Sequence, residues 1–120
     1  MNGILILAHG SREKSTEDTL YKIVKDLKEK ITNNVIEVAF LQFSETNLKV
    51  GLDNLKAKGI SEIKVIPYFL FDGVHIREDI PKEIEEYLEK NSYMKISLGK
   101  TLGYDKRLVD ILAERVNEDV

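Results

Sequence analysis

Four short apolar runs alternate with four amphipathic stretches along this chain, and no other feature limits its fold as much. Ile4-Leu5-Ile6-Leu7-Ala8 is continuously apolar and stops at His9-Gly10. A strand covered by helices on both faces reads this way, as in a parallel sheet. Between Ser15 and Ile31, the apolar residues Leu20, Ile23, Val24, Leu27 and Ile31 fall on one helical stripe. Ser15 with Asp18 resembles a capping box, and Asn33-Asn34 marks the exit. The second run, Val35 to Leu41, precedes a helix expected from about Asn47, with Leu48, Leu52 and Leu55 on one face and Gly59 as its stop. The third run, Ile63 to Tyr68, carries Pro67, which belongs at a strand's end or edge because proline donates no ladder bond. Phe69 to Glu78 reads as an irregular apolar loop. Asp79-Ile80-Pro81 reads as a helix start with Asp79 as cap, followed by the stripe Ile80, Ile84, Tyr87 and Leu88. Lys95 to Leu98 is a short outer strand, and a last helix uses Leu108, Ile111, Leu112 and Val116.

This order implies one three-layer α/β domain over residues 1–120, a four-stranded parallel sheet with helices on both faces and right-handed crossovers. At 120 residues the chain suits one core, and 42% hydrophobic with 32% charged residues argues against disorder. The net charge of −3 disfavours general nucleic-acid binding, which needs clustered cations. The absence of cysteine removes disulfides, thiolate metal sites and cysteine nucleophiles together. No apolar run approaches the roughly 20 residues of a membrane span, and the start Met1-Asn2-Gly3-Ile4 lacks the basic region of a signal peptide. The expectation is a cytoplasmic protein with neither a nucleic-acid nor a membrane partner.

Ligands of open parallel sheets bind at the carboxyl ends of the strands. The chain's two histidines stand there: His9 after the first run and His75 in the loop after the third. Imidazole ligates cobalt, nickel, iron and zinc, and accepts protons near neutral pH. A loop histidine can equally do no more than hydrogen-bond nearby backbone. Gly10-Ser11-Arg12 allows a tight turn whose amides hold an anion, with Arg12 forking onto a carboxylate or phosphate. An ordinary turn with a solvated arginine reads the same. Ser11 lacks the strained elbow pattern of a nucleophile. Phe69, Leu70, Phe71, Val74 and Ile76 form a greasy segment with Gly73 as its flexible point. It is either core completion or an apolar wall for a flat ligand, which Phe43 and Tyr68 would extend; Phe40 reads as core. Gln42, Glu45 and Asp72 are the polar groups nearest the second and third strand ends. Glu45 can serve as a ligand or cap the next helix. The Lys/Glu runs at Lys25–Glu29 and Glu83–Glu89 read as solvated helix faces.

Ala8-His9-Gly10-Ser11-Arg12 resembles the opening motif of the class II tetrapyrrole chelatases, the sirohydrochlorin cobaltochelatase and ferrochelatase group. Pro67-Tyr68-Phe69-Leu70-Phe71-Asp72-Gly73-Val74-His75, continuing through Asp79-Ile80-Pro81, resembles their second motif. Ala39-Phe40-Leu41 and Leu102-Gly103-Tyr104-Asp105 are similar to two weaker patterns. The resemblance covers essentially the whole chain. It implies a chelatase-like variant of the flavodoxin/Rossmann plan, a half-size enzyme and a homodimer. It also implies that His9 and His75 bind metal and remove protons, with Gly10, Ser11, Arg12, Phe69, Leu70, Phe71, Gly73 and Val74 around the macrocycle. The family pattern places a glutamate where this chain has Gln42, so Gln42 or Glu45 stands as the third ligand.

The resulting expectation is a sirohydrochlorin chelatase whose divalent metal substrate is cobalt, with nickel or iron as alternatives and no organic cofactor. A metal or tetrapyrrole carrier without turnover is the alternative, motivated by Gln42. A flavodoxin-like regulatory domain, binding phosphate or flavin at Gly10–Arg12, is a third reading.

Overall fold

A computed structural model describes residues 1–119, apart from the side chain of His75. The elements run β1 (Asn2–Ala8), α1 (Lys14–Lys30), β2 (Asn34–Phe40), α2 (Leu48–Ala57), β3 (Glu62–Pro67), a π-helical turn (His75–Asp79), α3 (Ile80–Lys90), β4 (Lys95–Leu98) and α4 (Lys106–Asn117). All strand pairs are parallel, in the order β2-β1-β3-β4. β1 and β3, which end just before the two histidine segments, are therefore neighbours.

Alternation along β1 divides the core. Leu5 and Leu7 pack with Ala39 and Val65 under Leu48, Leu52 and Leu55 of α2 and Ile80, Ile84 and Tyr87 of α3. Ile6 points the other way and packs with Ile36, Val38 and Phe40 under Leu20 and Val24 of α1. The expected helices on both faces are thus present. Pro67 closes β3 opposite Leu7, at the strand's end, where a missing donor costs the ladder least.

The caps differ from expectation more than the helix boundaries do, for α2 and α3 start where expected. Ser15 and Asp18 form no capping box: α1 starts a residue earlier, and Ser11 Oγ accepts from Glu13 N at 3.1 Å in the preceding turn. Asn47, not Glu45, caps α2, its side chain accepting from Val50 N at 2.9 Å. Asp79 is not a cap either. Its backbone is already helical (φ −70°, ψ −48°), because the π-helical turn feeds straight into α3 and shortens the expected loop. Pro81 lacks the N–H that an α-turn would direct at the residue 77 carbonyl, which suits a widened turn just ahead of it.

α4 departs furthest. Its expected stripe is not covered: α4 has no buried residue, and Ile111, Leu112 and Val116 are exposed, with Leu108 half-buried. On the α1 side of the sheet, Lys64 of β3 and its neighbour Ser97 of β4 are exposed as well. No helix of the described residues is long and apolar enough to cross a membrane.

Candidate functional site

The carboxyl end of β1 is extended by backbone hydrogen bonds on both sides. Leu41 N donates to Ala8 O at 2.9 Å and Gln42 N to His9 O at 3.1 Å, while Tyr68 N donates to Leu7 O at 2.7 Å. His9 is thereby fixed between the segments that follow β2 and β3. Its ring stacks on Phe69, with centroids 4.1 Å apart and planes 13° from parallel. Phe69 is itself buried at 6% exposure, so the stack joins an exposed imidazole to the core. A stacked ring carries its nitrogens at its edge, which leaves them directed along the site surface rather than into Phe69.

Gly10 makes this approach feasible. Its φ is +86°, and a Cβ there would run into the Gln42 carbonyl oxygen. Only glycine combines that backbone with that proximity. Gly73 differs: no positive φ and no crowding demand a glycine, and its carbonyl instead accepts from Ile76 N and Arg77 N as the π-helical turn begins.

His9 lines a cavity of about 220 Å³ together with Leu41, Gln42, Asp79 and Glu83. Asp79 and Glu83 lie four residues apart and so share a helix face. Reading them as a cap and as part of a solvated charge run missed both. The available signal was that spacing, immediately behind a strand-end histidine and the break at Pro81. Burial, then Glu86 and Asp79, push the Glu83 carboxyl above its ordinary range. Gln42 reaches the cavity as expected, whereas Glu45 is exposed and is not among its lining residues. His75 opens the π-helical turn, but its side chain lies outside the described residues. Among the described residues, no group of three or more His, Asp or Glu is gathered to hold a metal ion.

Of the apolar wall, Phe69 and Ile76 join the core, while Leu70, Phe71 and Val74 stay exposed, with Phe71 at 79%. Leu102 N and Gly103 N donate to Phe69 O and Leu70 O at 2.9 Å each, and Thr101 Oγ1 donates to Asp72 Oδ1 at 2.8 Å. The loop after β4 therefore braces the loop after β3. Asp72 is engaged there rather than at the cavity. Arg12 lies over the ring of Phe43, 4.9 Å from its centroid.

A larger groove of about 950 Å³ runs between α2 and α3, past Leu52, Asp53, Lys56, Tyr87 and Asn91. Within it Tyr87 Oη donates to Asp53 at 2.7 Å and Lys56 Nζ to Asn91 at 2.7 Å, and it holds no histidine. The smaller cavity at the strand ends is the better chemical candidate, because an imidazole and two carboxylates meet there.

The CbiX family model matches residues 3–119. A sirohydrochlorin cobaltochelatase of Saccharolobus solfataricus is 34% identical over 98% of this chain and 95% of its own length. A sirohydrochlorin ferrochelatase of Priestia megaterium is 31% identical over 98% of this chain but only 44% of its own, so the chain spans less than half of that relative. The crystal structure of the sirohydrochlorin chelatase SirB from Bacillus subtilis subspecies spizizenii, in complex with cobalt, superposes with a TM-score of 0.88. It is 29% identical, over 97% of this chain and 50% of SirB.

Proposed function

The chain belongs to the CbiX family, and on that premise we propose that it inserts a divalent metal, cobalt first, into sirohydrochlorin. The observation that carries this is His9, held at the end of β1 by the Phe69 stack at the mouth of a cavity with two carboxylates.

Insertion exchanges two pyrrole N–H protons for one divalent ion, so each turnover needs a proton acceptor beside the macrocycle and a metal donor that lets go. A neutral imidazole has one lone-pair nitrogen, which serves either task but not both at once. His9 and His75 both hold the metal, and at least one of them accepts a pyrrole proton once its lone pair is free of metal. Nitrogen and oxygen donors in a small, open set release cobalt, nickel or iron more readily than a closed thiolate site. Asp79 and Glu83 add negative charge next to His9, which draws a divalent cation. Leu70, Phe71 and Val74, exposed in the segment after β3, provide the apolar seat for the flat ring, with Gly73 among them. Gly10, Ser11 and Arg12 face its carboxylates.

The working unit is a homodimer of one chelatase domain, residues 1–120, in the cytoplasm. Two observations support the dimer. The chain covers half of SirB, and α4 presents Val109, Ile111, Leu112 and Val116 uncovered. An exposed apolar helix face of that kind is an association surface.

His9→Ala tests the assignment. The initial rate of cobalt insertion should fall about a hundredfold, the usual worth of a positioned proton acceptor. Cobalt affinity should fall with it and should weaken between pH 7 and mildly acidic pH in the wild type, since an imidazolium does not ligate. Full activity in both His9→Ala and His75→Ala would refute the mechanism. Gln42 favours a second reading, a carrier without turnover, because an amide in the cavity supplies no charge. A large rate gain in Gln42→Glu would support a handicapped site, and no change would make Gln42 peripheral.

A further inference from the structure

Phe43 is the one non-glycine residue with a positive φ (+58°) among the described residues. A bulky side chain there is an outlier that persists only where its surroundings over-determine it. They do so here through two backbone bonds, Gln42 N to His9 O and Phe40 N to Thr46 O at 2.8 Å, and through Thr46 N donating to the Ser44 hydroxyl at 3.1 Å. Core packing does not explain the residue, since its ring is 51% exposed. What the ring does touch is Arg12, three residues after His9 in the loop that follows β1, with its guanidinium 4.9 Å from the ring centre. The loop that carries His9 and the loop after β2 are thus joined by a cation–π contact. A cation–π contact occupies no carboxylate, and no carboxylate of the described residues forms an ion pair with Arg12.

We propose that Phe43 is a positioning residue that orients Arg12 to fork onto a peripheral carboxylate of a flat, anionic macrocycle lying over His9. The proposal rests on the chelatase reading for the nature of that ligand. It explains why the strain is kept: a relaxed residue at this position would leave Arg12 a mobile point charge. It also supplies local attraction in a chain of net charge −3.

The test is absorbance titration of metal-free sirohydrochlorin, and in parallel of the octacarboxylate uroporphyrin, together with cobalt-insertion kinetics. The variants are Phe43→Gly, Phe43→Leu, Phe43→Tyr, Arg12→Lys and Arg12→Gln. Phe43→Gly and Phe43→Leu should weaken macrocycle binding roughly three- to tenfold, and Phe43→Tyr should restore it. Arg12→Lys should weaken it about tenfold, since an ammonium does not fork. These losses should appear in KM for the macrocycle, with kcat and KM for cobalt moving far less. Phe43→Gly should melt no lower than wild type, because the glycine relaxes the backbone. Combining Phe43→Gly with Arg12→Gln should cost no more than Arg12→Gln alone. Wild-type affinity in Phe43→Leu and Phe43→Gly, or equal losses for both substrates, would overturn the proposal, and so would wild-type protein that binds neither macrocycle. Variant-dependent binding without turnover would instead refute the chelatase reading and leave the clamp standing.

Discussion

Substituting alanine at three glycines separates two costs that the site's backbone combines. Gly73 has neither a positive φ nor a neighbour within 4 Å of an added Cβ. Gly59 has a φ of +81° and likewise no neighbour. Gly10 has a φ of +86° and its added Cβ meets the Gln42 carbonyl. Placing a Cβ in the left-handed region costs about 1–2 kcal/mol. At Gly10 the carbonyl must also move, which breaks the bonds from Gln42 N to His9 O and Leu41 N to Ala8 O, each worth about 1 kcal/mol net. The sum is about 3–4 kcal/mol. With a urea slope of about 2 kcal/mol per molar, Gly10→Ala should lower the unfolding midpoint by roughly 1.5–2 M. Gly59→Ala should lower it by roughly 0.5–1 M, and Gly73→Ala should leave it unchanged or slightly raised, because alanine restricts the unfolded chain. Equal midpoints for Gly10→Ala and Gly59→Ala would refute the reasoning. They would mean that the loops beside His9 shift freely and that the hydrogen bonds across them do not fix the imidazole.

Three further outcomes follow from single features. Glu83 binds its proton more tightly folded than unfolded, so its penalty is absent below the ordinary carboxyl pKa and grows as pH rises through the raised value. Glu83→Gln should therefore raise the melting temperature modestly at pH 7 and leave it unchanged near pH 3. Tyr87→Phe should cost about 1 kcal/mol at pH 7 by losing the bond to Asp53. Burial pushes the Asp53 carboxyl up, but hydrogen bonds from Tyr87 and Lys49 outweigh it and hold the group below its ordinary range. The stability it contributes is lost as pH falls through that lowered value, so the gap between Tyr87→Phe and wild type should narrow in acid denaturation. Leu112→Lys on α4 should shift the protein from dimer to monomer by sedimentation, and an unchanged mass would remove α4 from the interface.

The sheet was legible because a parallel strand covered on both faces leaves an uninterrupted apolar run, as at Ile4–Ala8, and because α2 carries its own cap and stop at Asn47 and Gly59. Placing His9 at a strand end needed nothing more. The start of α3 at Ile80 was legible from Asp79-Ile80-Pro81, but Asp79 was misread as its cap, since His75–Asp79 has no periodicity that marks a π-helical turn. That error hid the cavity's acidic side, because a capping aspartate faces its own helix and a solvated glutamate faces water. α4 shows the opposite failure. Its stripe at Leu108, Ile111, Leu112 and Val116 is plain in the sequence, but periodicity states only that a face is apolar and not whether this chain covers it. The strain at Phe43 has no plain sequence signal, as one of the bonds that fix it, Gln42 N to His9 O, comes from a loop distant in the chain.

The central claim is turnover at the His9 cavity. The direct measurement is the absorbance of excess sirohydrochlorin with cobalt and substoichiometric protein, against a no-protein control. Many equivalents of cobalt sirohydrochlorin per chain are expected, formed at a rate proportional to protein. A spectral change that stops at one equivalent per chain or per dimer would contradict catalysis and identify a carrier.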